Sequence, residues 1–282
     1  MSLFLAVFSL NLRVQMGRIL LFVLATLIFS SCGDFNKVMK SNNYSLKFQR
    51  AFTYYQKKDY TRALSLLEQL RDRYKGLDSM EIIYYYTAYS NFGIEDYEIA
   101  ALYFKDYAEN FTSSPRLQEC AYMSVYCQYL SIGSHELDQS STIKTIGALQ
   151  TYINHYPSSP YAEKCNVHMD ILRNKLQLKQ YEIVMQYYNM GDYRAAVVSS
   201  KNTLKTFPDI AQKEDLEFLA VQAQYLFATN SVEKKKLLRF QEALDYWKEY
   251  NYINHEKGKR FKEAAELKRK IDLEIKKIKD TL

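Results

Sequence analysis

The amino-acid sequence predicts an all-α fold, a helical solenoid of about five helix pairs closed by a C-terminal capping helix. Three observations predict it. An aromatic pattern recurs every 37 residues, an Asp-Tyr pair opens alternate helices at a fixed step before an alanine, and helix breakers are scarce, with 8 Gly and 4 Pro in 282 residues.

The aromatic pattern organises the first half of the chain. Phe48, Phe52 and Tyr55 are followed 37 residues on by Tyr85, Tyr89 and Phe92, and 37 further on by Tyr122, Tyr126 and Tyr129. Spacing of i, i+4, i+7 sets each trio on one helix face, because 3.6 residues complete a turn. Ala51, Ala88 and Val125 repeat in the same register and allow a neighbouring helix to approach closely. A repeat of this length cannot bury its apolar face alone, so successive units stack.

Taken in order, residues 1–31 predict a signal peptide. Arg13 and Arg18 precede the apolar run 19–29, which is too short for a permanent span of about 20 residues. Met16 is a second candidate start. Residues 32–44 are polar and are expected to form a tether. Repeat one occupies 45–77, with helices over 45–57 and 60–74. Repeat two occupies 78–114, with helices over 80–92 and 97–111. Repeat three, 115–159, pairs a helix over 116–132 with one over 141–155 across a longer link. Repeat four, 160–210, holds an unusually long helix over 161–188, and repeat five, 211–250, pairs 213–229 with 235–251. Residues 251–282 predict a basic helix over 257–279, whose apolar Phe261, Ala264, Leu267, Ile271 and Ile275 suit a cap on the last repeat.

The turns carry their own signal. Asp59-Tyr60, Asp96-Tyr97 and Asp192-Tyr193 precede Ala63, Ala100 and Ala196, each at the same step. The aspartate can cap the free amides of the helix it opens, and the alanine leaves room for the crossing helix. Pro115, Pro157, Pro160 and Pro208 all fall at repeat boundaries, where a missing amide does no harm.

The formal charge is +6, of which the two leader arginines supply +2. Residues 255–282, with ten Lys/Arg against six Asp/Glu, supply the rest, so the body is near neutral. That argues against nucleic acid as a partner, which requires a broad basic patch. The basic end is either a solvated face or a surface for anionic head groups or an acidic partner.

Catalysis has no visible constellation. His135, His155, His168 and His255 lack metal-ligand spacing with each other or with cysteine, and no phosphate-cradling glycine loop or nucleophile elbow is present. Neither an enzyme, nor a metal, nor a dissociable cofactor is expected. Cys120, Cys127 and Cys165 are expected as buried thiols.

Two resemblances add to this reading. Ala51, Tyr54 and Ala63, with Ala88 and Ala100, occupy the small, aromatic and alanine positions of tetratricopeptide repeats, which implies a right-handed solenoid whose first helices line a concave groove. The stretch Phe29-Ser30-Ser31-Cys32 resembles a bacterial lipoprotein signal, which implies a covalent lipid (palmitate among its chains) on Cys32; an ordinary secretory signal containing a cysteine is the alternative. Gly33 rather than an acid follows Cys32, which in the best-known sorting rule implies the outer membrane.

More specifically, the order of features resembles the BamD (YfiO) family, lipoproteins of the outer-membrane barrel assembly (BAM) machinery. These features are the leader, two regular repeats, a third with Asp138-Gln139-Ser140-Ser141-Thr142 in its link, then Tyr156-Pro157-Ser158-Ser159-Pro160-Tyr161 and Tyr187 to Ala196. The resemblance covers 45–250. It implies a periplasm-facing scaffold that binds the barrel subunit BamA and receives unfolded outer-membrane precursors, with further lipoprotein subunits as possible partners. Met190, where the family commonly has arginine, and Ser199 and Ser200, where a basic residue is expected, depart from the pattern.

The resemblance makes the nine aromatic positions candidates for a precursor-binding groove. Equally, they could be core filling between helices. Continuing their register across Pro160 lands on Val167, Ile171 and Asn174, so the ladder stops after repeat three. Tyr187, Asp192, Tyr193 and Arg194 are the candidates to face BamA. Other functions for the same scaffold are an adaptor for a cell-wall or secretion complex and a surface nutrient-binding lipoprotein.

Overall fold

The computed structural model of the chain describes residues 34–254 and 258–281. The expected signal peptide and Cys32 lie outside the described residues. Within these there are twelve helices and no strand, so the fold is an all-α helical repeat. A short helix, α1, spans 34–40. It is followed by α2 (Tyr44–Gln56), α3 (Tyr60–Arg73), α4 (Ser79–Gly93), α5 (Tyr97–Asn110), α6 (Leu117–Leu130), α7 (Ser140–His155), α8 (Ala162–Asn189), α9 (Tyr193–Thr206), α10 (Lys213–Thr229), α11 (Glu233–Asn254) and α12 (Phe261–Asp280).

The three Asp-Tyr turns share one geometry. Lys58, Glu95 and Gly191 take positive φ values of 60°, 62° and 80°, and the following aspartate caps the next helix. Asp59 accepts from the Arg62 amide at 3.3 Å, Asp96 from Ile99 at 3.3 Å and Asp192 from Ala195 at 3.0 Å. The amides of Asp59, Asp96 and Asp192 in turn reach back to the carbonyls of Tyr54, Asn91 and Tyr187, closing the preceding helix in a Schellman turn. Ala63, Ala100 and Ala196 are fully buried, as their close-packing role requires.

The chain divides into two compact units, Met1–Ser131 with Tyr152–Ala162, and Ile132–Thr151 with Glu163–Leu282. In the first, Val38, Ala51, Leu66, Leu67, Leu70 and Ile83 form a core with Phe35, Met39, Phe48, Tyr54 and Tyr86 around it. In the second, Val184, Ala196, Val197, Ile210, Leu216 and Leu219 form one cluster and Phe218, Val221, Ala243, Tyr250, Ala264, Leu267 and Ile271 another. The apolar side of α12 thus packs into the second unit, and the Trp247 indole donates to the Ala264 carbonyl at 2.9 Å.

One expectation is corrected here. Residues 34–40 were expected to lie in a polar tether, yet they form α1, and Val38 is buried in the first unit's core. The reason is the i, i+3, i+4 spacing of Phe35, Val38 and Met39, which gives a short polar stretch one apolar side. Full burial of such a side chain contributes roughly 1.5–3 kcal/mol. Lys47, itself buried, donates to the Met39 carbonyl at 3.0 Å and to Gln69 at 2.6 Å, closing the end of α1.

Candidate functional site

All nine ladder positions fall in the first unit, where α2, α4 and α6 bring them together. Phe52 meets Tyr86 edge-on at 5.1 Å, and Tyr55 meets the same ring at 4.6 Å. Tyr86 contacts Tyr85 at 5.4 Å, and Tyr85 contacts Tyr89 at 4.7 Å. Phe92 then bridges Tyr89 and Tyr126, each at 6.4 Å. Tyr126 stacks on Tyr122 at 5.6 Å and on Tyr129 at 6.1 Å, and Tyr161 stacks on Tyr122 at 4.5 Å. Phe48 packs beside this net against Tyr74, at 6.0 Å. Offset and edge-on pairs of this kind favour one another beyond their area burial.

The rings are neither sealed nor open. Tyr122 is 5% exposed and Phe52 is 37% exposed, while the other seven are half-buried. Where the net meets solvent, Phe48, Phe52, Ile82, Tyr85, Tyr86 and Arg116 line a cleft of about 310 Å³. The Arg116 guanidinium lies 5.0 Å from the Tyr85 ring centre and 3.5 Å from the Glu81 carboxylate. The cleft is therefore walled mainly by apolar and ring side chains, with the Glu81-paired Arg116 in its lining.

Polar contacts fix the rings from behind. The Tyr85 hydroxyl donates to Glu119 at 3.1 Å, and the Tyr89 hydroxyl donates to the same oxygen. Both hydroxyls are held above the ordinary tyrosine range, by burial first and then by the Glu119 carboxylate. Burial, with Tyr60 and Tyr86 adding to it, pushes Tyr55 up to about 12. Nearby, Glu81 accepts from Tyr107 at 2.5 Å and Ser114 at 2.8 Å, and these bonds hold its carboxyl below the usual range.

Tyr86, Arg116, Glu119 and Tyr161 were not among the sequence candidates. Tyr86 is one step from the ladder register, yet it joins the rings of α2 to those of α4. Glu119 stands three residues before Tyr122, so helical spacing alone would have put it on the ladder's face. Tyr161 stacks on the ladder although it precedes α8.

In the second unit, Tyr187 is 38% exposed and Arg194 is exposed. Asp192 is exposed and caps α9, and the half-buried Tyr193 packs on Tyr188 at 5.8 Å. Val167 and Ile171, where the ladder register continues, are 49% and 45% exposed. Cys120, Cys127 and Cys165 are buried and free, and burial lifts their thiols to about 12, 12 and 11.

Fold and cleft together define an all-α helical-repeat protein with a ring-walled cleft. The family description that matches is "YfiO: Outer membrane lipoprotein", over residues 41–238, and the chain belongs to that family. Among curated relatives, an outer membrane protein assembly factor BamD of Pasteurella multocida is 26% identical over 56% of this chain and 64% of its own length. That of Caulobacter vibrioides is 22% identical over 44% and 41%, and that of Haemophilus influenzae 20% identical over 68% and 77%. The chain spans less than two thirds of the length of the first two. Helix α12 lies beyond the residues the family covers.

Proposed function

We propose that the chain acts by binding, without catalysis, as the lipid-anchored, periplasm-facing scaffold of an outer-membrane barrel assembly complex. Cys32 carries the lipid. The first unit receives unfolded barrel precursors, and the exposed Tyr187 and Arg194 in the second unit contribute to holding a BamA-like barrel subunit. The observation that carries the reading is the ring-walled cleft lined also by Arg116, in a chain whose relatives are named assembly factors. Aromatic walls grip apolar side chains at little entropic cost, and barrel precursors commonly end in an aromatic residue.

The test is binding of a fluorescent peptide ending in an aromatic residue, followed by anisotropy. Phe52→Ala with Ile82→Ala, both exposed on the cleft wall, should weaken binding by about tenfold or more with far-ultraviolet dichroism unchanged. Unchanged affinity in that folded variant sinks the cleft as the precursor site. Purification of the tagged chain from membranes tests the partner: absence of a BamA-like barrel subunit sinks the assembly role.

A further inference from the structure

Helix α1 runs antiparallel to α2. Asp34 pairs with Arg50 at 3.3 Å, Phe35 meets Tyr54 edge-on at 5.7 Å, and at the other end Met39 accepts from Lys47. The start of α1 therefore lies toward the C-terminal end of α2, beside the turn Lys57-Lys58-Asp59. Chain connectivity then limits where an anchor can be. Cys32 is two residues before Asp34, and two peptide units reach at most about 7–8 Å between Cα atoms.

The tip of this hairpin is itself net positive, although the neighbouring turn that packs on Tyr60 carries Glu95 and Asp96. Arg50 is balanced by Asp34 and Arg62 by Asp59, whereas Lys57 and Lys58 are exposed and have no ion-pair partner among the described residues. Arg62 also caps the Phe35 and Tyr54 rings, at 5.6 Å and 5.8 Å, which holds the α1 start against the repeat. A docked helix, a cationic turn and a short chain thus coincide at one end of the first hairpin.

We infer that the α2–α3 turn of the first repeat rests in the anionic head-group layer of the membrane, with Lys57 and Lys58 meeting lipid phosphates. The inference rests on lipidation of Cys32. The anchor acts as a short mount, because Asp34, already packed on α2 through Arg50, is two residues from Cys32. Lipid phosphates lie within the roughly 8 Å screening length of the two lysines.

The experiment uses the mature lipidated chain in phosphatidylethanolamine vesicles with and without phosphatidylglycerol. A fluorophore is placed through Gln56→Cys, beside the lysines, or through Lys75→Cys at the far end of the hairpin, roughly 20 Å away along a helix of this length. Quenching by lipids bearing a head-group nitroxide should be several-fold stronger at position 56 than at 75. Adding Lys57→Glu and Lys58→Glu should remove its dependence on phosphatidylglycerol. Flotation with the vesicles reads the lipid anchor by itself. Flotation with equal quenching at both positions overturns the mount and leaves the anchor standing; loss of flotation overturns both.

Discussion

Tyr85 on α4 and Glu119 on α6 are joined across the helix interface by a 3.1 Å hydrogen bond, with the Tyr89 hydroxyl donating to the same carboxylate oxygen. One acid thereby sets the pose of two ladder rings, and the cleft shape depends on a residue that does not line it.

Glu119→Ala should cost about 1–3 kcal/mol, the penalty for leaving half-buried donors without an acceptor. Glu119→Gln keeps a carbonyl acceptor and should cost less. Urea unfolding of the two variants measures this. Equal stability of the alanine variant and the parent chain would show that the two hydroxyls find water instead.

Stability should fall on the alkaline side. Tyr107 is lifted from 10.0 to about 12 by burial and by its bond to Glu81, and Cys120 and Cys127 from 9.0 to about 12 by burial. Above pH 9 the unfolded chain releases protons that the folded chain retains, so the unfolded state binds fewer and stability declines with rising pH. The contribution is fully present below pH 9 and is lost as pH climbs toward 12. Urea midpoints taken at stepped pH should be flat from neutrality to 9, then drop. Tyr107→Phe should make the drop above 10 shallower, and an unchanged slope in that variant contradicts the assignment to Tyr107.

Much of this fold was legible because its signals are periodic. The Asp-Tyr pairs located three turns, and the 37-residue ladder identified the face that became the ring net. What escaped was set by packing between repeats rather than within them. Tyr86 breaks the i, i+4, i+7 register, so only contact with α2 reveals its role. Glu119 sits in the first turn of α6, where an acid is ordinary, and only its partners, hydroxyls on another helix, reveal its role. The α1 helix escaped because Phe35, Val38 and Met39 sit among charged and polar neighbours, and seven residues are too few for a periodic signal to stand out. Of the four candidates for a BamA face, Asp192 also caps α9, as its place before Tyr193 and Ala196 implied.

The shared turn gives a paired prediction. Glu95 at φ 62° pays the steric cost of a side chain in the left-handed region, while Gly191 at φ 80° avoids it. Glu95→Gly should raise stability by about 1 kcal/mol, and Gly191→Ala should lower it by about the same amount. Space is not the cause at Gly191, since an added Cβ there meets nothing within 4 Å. Thermal melts of the two variants should therefore shift in opposite directions. A shift of the same sign in both would mean that the turns differ in the unfolded chain.

The long link before α7 is held in place by the helix that follows it. Lys175 donates to the Gly133 carbonyl at 2.6 Å, and Lys179 donates to the carbonyls of Glu136, at 3.3 Å, and Leu137. The His135 imidazole lies 3.0 Å from the Glu182 carboxylate. Residues 175, 179 and 182 fall at i, i+4 and i+7, so one stripe of α8 fastens the whole link. Gln139 tightens it from within, donating to the carbonyls of Ser134 and Leu137 at 3.0 Å and 2.9 Å. A surface loop with its carbonyls satisfied opens rarely, and cleavage by a protease tracks the population of the open form. Lys175→Met with Lys179→Met keeps the aliphatic stems and removes the charged donors. Hydrogen bonds to charged groups contribute about 1.5–3 kcal/mol when buried and less at a surface, so cutting after Glu136 by a glutamate-specific protease should accelerate by roughly tenfold. Cleavage sites elsewhere in the chain should keep their rates, because the variant loosens one link and leaves both cores intact. An unchanged rate after Glu136 would mean that the Gln139 contacts alone hold the link shut.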